Sequence, residues 1–431
     1  MPKPQPLVVL TREAIDKMAN SRAGGGDLFF THSQADDIYV ASAVESVNGN
    51  VLPVTDLRSY SALARTGGRV LGQWLRCVPL DLHLGHFDLS RRPGSLFSLA
   101  AFQRIVPGVR DPRGHAYPLV TQVEDVPTEL KLVGVPTYAG WSVDDEGAAP
   151  LAIAIEPELS GISRLALQWP VADLQECRVV LVGVGSIGGS VAESLAAYGV
   201  GRIDLVDPDR LLWHNTVRHL LGPESVGRTK VSALAERIND RWPDTRAVGH
   251  TLDAVEEAHY LRPLLDGADI VVCAADGIAP RRAVSHLARA ARVPAVLACV
   301  LDDGGVGEVL RLRPGPRHGC LMCQRRALEE QGAIDAEGDQ ELDYGTGLLH
   351  KPMTAVGPDL RLVADLAAKS AAATLLEARG HGDQRLPGEH AVLALRSGNE
   401  LAAPFDAPAL GMVTWYPAHP PLPGCWTCES R

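Results

Sequence analysis

LVGVGSIGG, residues 181–189, decides the reading of this chain. The apolar run RVVLVG, 178–183, has the continuous hydrophobicity of a strand buried on both faces. SVAESLAAYG, 190–199, follows as a helix that stops at Gly199, a natural C-cap. Between them Gly183, Gly185 and Gly188 match the spacing G-x-G-x-x-G. Glycines let the backbone approach phosphate closely, and a helix N-terminus offers unpaired N–H groups and a positive dipole. Asp207 ends the next strand, RIDLVD, where a carboxylate can accept from ribose hydroxyls. On these residues alone a dinucleotide and ATP fit equally well.

The residues that follow separate the two. Asn215 and Arg218 stand in DPDRLLWHNTVRHL, Lys230 opens the next helix after GRT, and Asp276 ends the strand DIVVCAAD. Open parallel sheets bind ligands at the carboxyl ends of their strands, so the glycine loop, Asp207 and Asp276 share one rim. A nicotinamide has no need of two cations and a second carboxylate around its phosphates. A triphosphate does: Arg and Lys screen its charge, and Asp276 offers Mg²⁺ a hard oxygen ligand. Two rivals remain open at this point, an NAD(P)-dependent oxidoreductase and a scaffold that binds nucleotide without turnover.

Strands and helices alternate from Arg178 onward at the pace of βαβ units, which predicts an α/β fold with a mainly parallel sheet. VSALAERIND places Val231, Leu234, Ala235 and Ile238 on one helical face, VPAVLACVL is a further buried strand, and 359–378 forms a long Ala/Leu-rich helix. The acidic, glycine-containing stretch 329–347 reads as a mobile crossover loop. Residues 1–155 form a separate, smaller α/β unit ahead of the unit 156–431. In it LVVL, DDIYVASAVE, RVLGQWLRCV, YPLVTQV and LKLVGV read as strands, 141–150 as a turn or hairpin, and TREAIDKMAN as a helix capped by Thr11.

The order glycine loop, Asp-x-Asp (Asp207 and Asp209), Asn-x-x-Arg, Lys at a helix start and Asp after an apolar strand resembles the ThiF/MoeB family. This is the adenylating domain shared with ubiquitin-activating enzymes, and the similarity runs from about 160 to 431. The resemblance implies a Rossmann-like domain that activates a carboxylate with ATP, giving an acyl-adenylate and pyrophosphate. It implies that Asp207 binds ribose, with Asp209 beside it, that Asn215, Arg218 and Lys230 contact the triphosphate, and that Asp276 holds magnesium. Arg164 matches the arginine that family members extend into a partner subunit's site, which implies a homodimer. The acid implied is the C-terminus of a small ubiquitin-like protein or a peptide.

Two Cys-x-x-Cys pairs, Cys320/Cys323 and Cys425/Cys428, supply four soft thiolates, the set zinc prefers in closed structural sites. Their wide separation departs from compact zinc fingers and matches the ThiF/MoeB pattern. Cys77, Cys177, Cys273 and Cys299 read as small buried hydrophobes, and between Cys323 and Cys425 there is no cysteine to serve as a thioester acceptor.

The N-terminal unit faintly resembles the JAB/MPN metalloprotease fold in LTREAIDKMANS, GGGDLFF, DDIYVASAVE and GRVLGQW. It departs from that family where metal ligands belong: LRCVP follows Trp74 without a histidine. His83 and His86 in DLHLGHFD have the wrong spacing for that family and read as plain loop residues, leaving a non-catalytic binding unit. The formal charge of −11 argues against nucleic acid and anionic membranes as partners. There is no apolar run long enough for a membrane span, and MPKPQPLVVLTREAI is too short in apolar residues for a signal peptide, so a cytoplasmic protein is expected.

Overall fold

The computed structural model describes residues 6–21, 23–45, 48–54, 67–157, 161–333, 355–397, 401–406 and 409–429. The chain divides into two compact units, Met1–Ser160 and Gly161–Arg431.

The first unit runs β1 (Leu7–Leu10), α1 (Arg12–Asn20), β2 (Gly25–Ser33), β3 (Ile38–Glu45), β4 (Val51–Pro53), β5 (Gly68–Arg76), α2 (Leu80–Leu89), β6 (Phe97–Ser98), α3 (Leu99–Ile105), β7 (Tyr117–Gln122), α4 (Thr128–Leu132), β8 (Tyr138–Val143) and β9 (Gly147–Ile155). The strands pair in the order β1-β3-β2-β5-β7-β8-β9, and β9 pairs back to β1 in parallel, so among the described residues the sheet closes on itself. Adjacent residues of β7 serve different cores. Leu119 joins a cluster with Leu82, Phe102 and Trp141, and Val120 joins one with Leu28, Phe30 and Trp74. Thr11 caps α1, its hydroxyl accepting the Ala14 N–H. Residues 130–135 depart from the strand expected of them. They end a one-turn helix and a turn closed by Gly134 at φ +100°, because the Pro127 carbonyl takes both the Leu130 and Lys131 N–H groups before a ladder can form.

The second unit carries α5 (Val171–Gln175), β10 (Arg178–Val182), α6 (Ser186–Tyr198), β11 (Arg202–Val206), α7 (Lys230–Arg241), β12 (Arg246–His250), α8 (Ala258–Leu265), β13 (Ile270–Cys273), α9 (Ile278–Ala290), β14 (Ala295–Leu301), β15 (Val306–Leu312), α10 (Leu321–Glu330), α11 (Gly357–Ala378), β16 (His390–Ala394), β17 (Val413–Tyr416) and α12 (Trp426–Glu429). The strand order is β12-β11-β10-β13-β14-β15-β16-β17. Its first five strands are parallel, as the βαβ pattern predicted, but β14, β15, β16 and β17 pair antiparallel, so the sheet is mixed rather than mainly parallel. The difference arises because only a short turn through Asp302–Gly304 joins β14 to β15, too short for the crossover that parallel pairing demands.

Alternation along β10 sets the layers. Val179 and Leu181 face α6, α7 and α11, while Val180 and Val182 face α8 and α9. Buried Ala364, Ala367, Ala368 and Ala371 line α11, and such small side chains let it pack closely in this core. Of the acidic stretch 329–347, Glu329 and Glu330 end α10, and residues from 334 onward lie outside the described residues.

Candidate active site

The carboxyl ends of β10, β11 and β13 converge on the glycine loop. Each of its glycines answers a different demand. Gly183 adopts φ +81°, and a Cβ there would lie 2.4 Å from the Ala275 nitrogen. A Cβ on Gly188 would lie 1.8 Å from the Gly183 carbonyl oxygen, so only glycine lets α6 approach the strand end. A Cβ on Gly185 would meet nothing within 4 Å. The protein itself does not require glycine there, and the space is left for something the backbone must approach. Gly185 is also the N-cap of α6 and carries no side-chain cap, which leaves the helix N–H groups for an anion.

Asp207 is buried beneath this loop. Its Oδ2 accepts the Val184 N–H at 2.8 Å and its Oδ1 the Asp209 N–H at 2.9 Å. Expected to bind ribose, it also braces the glycine loop. Thr229 caps α7, and the helix starts with Lys230 under the same rim. The Lys230 ammonium lies 2.7 Å from Asp209 Oδ2 and 3.7 Å from Asp207 Oδ1. Burial works against its charge, but the Asp207 and Asp209 carboxylates outweigh that and raise its pKa.

Asp276 follows β13 and precedes α9. Asp276 is an exposed residue, yet the bulk of the unit lies close around it. This crowding pushes its pKa up, and Lys230, Arg281 and Arg218 pull it back. The charges of Lys230, Arg218 and Asp276 are thus felt by one another. Asn215, expected at the triphosphate, stands on the short turn before Arg218. Its Oδ1 accepts the Leu212 N–H at 2.9 Å and closes the turn that carries Arg218.

Arg164 lies elsewhere. It is exposed on the short 3-10 turn Gly161–Leu165, whose Ile162 packs against Gly199 at the C-terminal end of α6. That is the end of the helix opposite the glycine loop, so within one chain Arg164 stands away from the rim.

Two neighbours escaped the sequence reading. Arg281 sits one turn into α9, its Nε donating to the Gly277 carbonyl at 2.7 Å. A basic residue so soon after a ligand-side Asp is a signal that could have found it. His219 is buried between the Arg218 turn and the glycine loop. Its Nε2 lies 2.8 Å from the Val184 carbonyl, and its Nδ1 accepts the Leu221 N–H at 3.0 Å. Nothing in its spacing separates it from a core histidine.

On the same unit, the sulfurs of Cys320, Cys323, Cys425 and Cys428 all lie within 4.8 Å of one another. Cys320–Cys425 is 3.6 Å, Cys323–Cys428 3.7 Å and Cys320–Cys323 3.9 Å. These are not disulfides. A tetrahedron of sulfurs bound to zinc at about 2.3 Å has edges of about 3.8 Å, so the donor set fits that metal. The Leu422 N–H points at Cys323 Sγ from 3.3 Å, which favours a thiolate there.

His83 and His86, read as loop residues, stand on α2 and are spent on packing. His83 bonds the Pro136 carbonyl at 2.7 Å and Thr121 Oγ1 at 2.9 Å, and His86 bonds the Gly140 carbonyl at 3.0 Å. Among the described residues the four cysteines are the one candidate metal group. No helix is long and apolar enough to cross a membrane.

A glycine loop at the head of the parallel strands, with Lys230, Asp207 and Asp209 beside it, places this unit among the Rossmann-like α/β folds. The ThiF family profile matches residues 164–393, and the chain belongs to that family. It is 32% identical to the sulfur carrier protein ThiS adenylyltransferase of Bacillus subtilis over 164 residues, covering 37% of this chain and 47% of that one. It is likewise 32% identical to the adenylyltransferase and sulfurtransferase MOCS3 of Anopheles gambiae, covering 35% and 34%. The chain thus spans between a third and a half of these relatives' length. Among solved structures, E. coli MccB matches with a TM-score of 0.46 at 20% identity, covering 61% of this chain and 67% of that one.

Proposed function

We propose that this protein is an ATP-dependent adenylyltransferase that activates the C-terminal carboxylate of a small ubiquitin-like protein or a peptide. A carboxylate oxygen attacks the α-phosphorus of ATP, the bond to the β-phosphate oxygen breaks, and pyrophosphate leaves. The chain need supply no nucleophile. It holds the two reactants in line and offsets the charge that develops. The glycine loop and the α6 N-terminus take the phosphates, Asp207 and Asp209 the ribose side, and Arg218 and Lys230 the charge on the triphosphate. Asp276 would hold magnesium, which when bound neutralises phosphate oxygens. The cysteine set would hold zinc as a closed structural site that ties the C-terminal segment to α10.

The observation that carries this reading is Lys230 at 2.7 Å from Asp209 and 3.7 Å from Asp207, the acid that braces a loop whose Gly185 faces open space. The ThiS adenylyltransferase relative supports a small carrier protein as the acid. A homodimer accords with Arg164 lying away from its own rim. It also accords with Trp213 and Val217, 75% and 83% exposed beside Arg218, which a second copy would cover. The first unit is read as a binding module, since both its clustered histidines are committed to its core.

The test is exchange of labelled pyrophosphate into ATP, run with a small protein ending in Gly-Gly as the acid. The expected result is exchange by the wild type, reduced about a hundredfold or more in Asp276→Ala. Undiminished exchange in that variant removes the magnesium role, and tight NADH binding in place of ATP removes the reading altogether.

A further inference from the structure

Val184 is clamped from two sides. Its N–H is taken by Asp207 Oδ2 at 2.8 Å, and its carbonyl lies 2.8 Å from His219 Nε2. His219 Nδ1 accepts the Leu221 N–H, so the ring proton must sit on Nε2 and be donated to Val184. A trans peptide sets its C=O and N–H in opposite directions. Holding the Val184 carbonyl on His219 therefore turns the Gly185 N–H away from the imidazole. Among the described residues that N–H has no hydrogen-bond partner. Gly185 is also the one glycine of the motif whose missing Cβ leaves open space. The imidazole also lies against α6: a Cβ on Gly189 would stand 3.5 Å from His219 Cε1, in van der Waals contact with the ring.

We propose that His219 is a positioning residue for the triphosphate. It aims the Gly185 N–H at a phosphate oxygen and couples the glycine loop to the turn that carries Arg218, its neighbour in sequence. The inference rests on the nucleotide reading above and adds a residue that touches no substrate. Its two ring nitrogens do separable work. The bond to Leu221 steadies the turn, and the bond to Val184 sets the loop.

Two variants separate these. Gln places an amide N–H near the Nε2 position and can still donate to Val184; Asn places a carbonyl near Nδ1 and can accept only from Leu221. Each loses one bond, so both should lower the melting temperature of the nucleotide-free protein by similar amounts. Titration calorimetry with Mg·ATP should then divide them. His219→Asn is expected to weaken binding about tenfold, and His219→Gln to stay within about threefold of wild type. Equal losses in both variants, losses that track the drop in melting temperature, or no loss in His219→Asn would overturn the proposal. Absence of ATP binding by the wild type would instead strike the nucleotide reading, and this inference with it.

Discussion

The Lys230 ammonium is held 2.7 Å from Asp209 Oδ2, and its second carboxylate, Asp207, is the group that also grips the Val184 N–H. Lys230 and the glycine loop thus share one buried acid. Lys230→Met should therefore do two things at once. It leaves Asp207 buried with its nearest cation gone, which costs about 3 kcal/mol of stability. It also removes a charged contact to the reacting phosphates, which lowers pyrophosphate exchange about a hundredfold. Urea denaturation and exchange on the same preparation measure both.

Gly185 and Gly188 should respond in opposite ways to alanine. Gly188→Ala drives a methyl into the Gly183 carbonyl and is expected to cost about 1–3 kcal/mol of stability. Gly185→Ala meets no protein atom within 4 Å and should change stability by less than about 0.5 kcal/mol. Its methyl occupies the space assigned to phosphate, so ATP affinity should fall about tenfold or more. Thermal melts with and without Mg·ATP read out the contrast. A Gly185→Ala protein that bound ATP normally would show that the open space is not the phosphate site.

The cysteine cluster predicts about one zinc per chain by elemental analysis. Cys320→Ser and Cys425→Ser should each lose it, whereas Cys77→Ser, at an exposed thiol outside the cluster, should keep it. Metal-free protein purified without chelators would end the assignment.

The first unit should lose stability in mild acid. Burial holds His83 down to about 4, against the bond to the Pro136 carbonyl. The unfolded chain takes up a proton below the ordinary histidine value near 6.5, while the folded state takes it up only near 4. Stability is therefore fully present above about pH 6.5 and falls as pH drops toward 4, by roughly 3 kcal/mol for this one group. In His83→Gln the fall between about pH 7 and about pH 4.5 should be smaller, because the residue no longer titrates. Denaturation curves at both pH values give the comparison. An unchanged slope would show that His83 is not the group responsible.

The parallel half of the second sheet and the chain positions of its glycine loop and helix starts were legible because their signals are local. Buried parallel strands are continuous apolar runs, helix starts carry their caps, and ligand-side residues cluster just past strand ends. The antiparallel half was harder to read, since VPAVLACVL looks alike in either kind of pairing and only the short turn after it decides. LKLVGV alternates like a strand, yet Pro127 captures it into a helical turn. That Asn215 Oδ1 also closes the turn before Arg218 is visible only in the distances. His219 was missed because a buried histidine and a loop-setting histidine have the same surroundings in sequence.

Cys320 and Cys425 stand 105 positions apart, yet their sulfurs are 3.6 Å from each other. With both ends of the intervening chain pinned, each doubling of a loop within it would add only about 0.6 kcal/mol of closure entropy. Between these anchors α11 packs in one core with β10 and α6, and β16 pairs with β15, so only a loop that spares both can be lengthened in this way. Loops between these anchors can therefore lengthen at little thermodynamic penalty, while α11 and β16 must stay as they are.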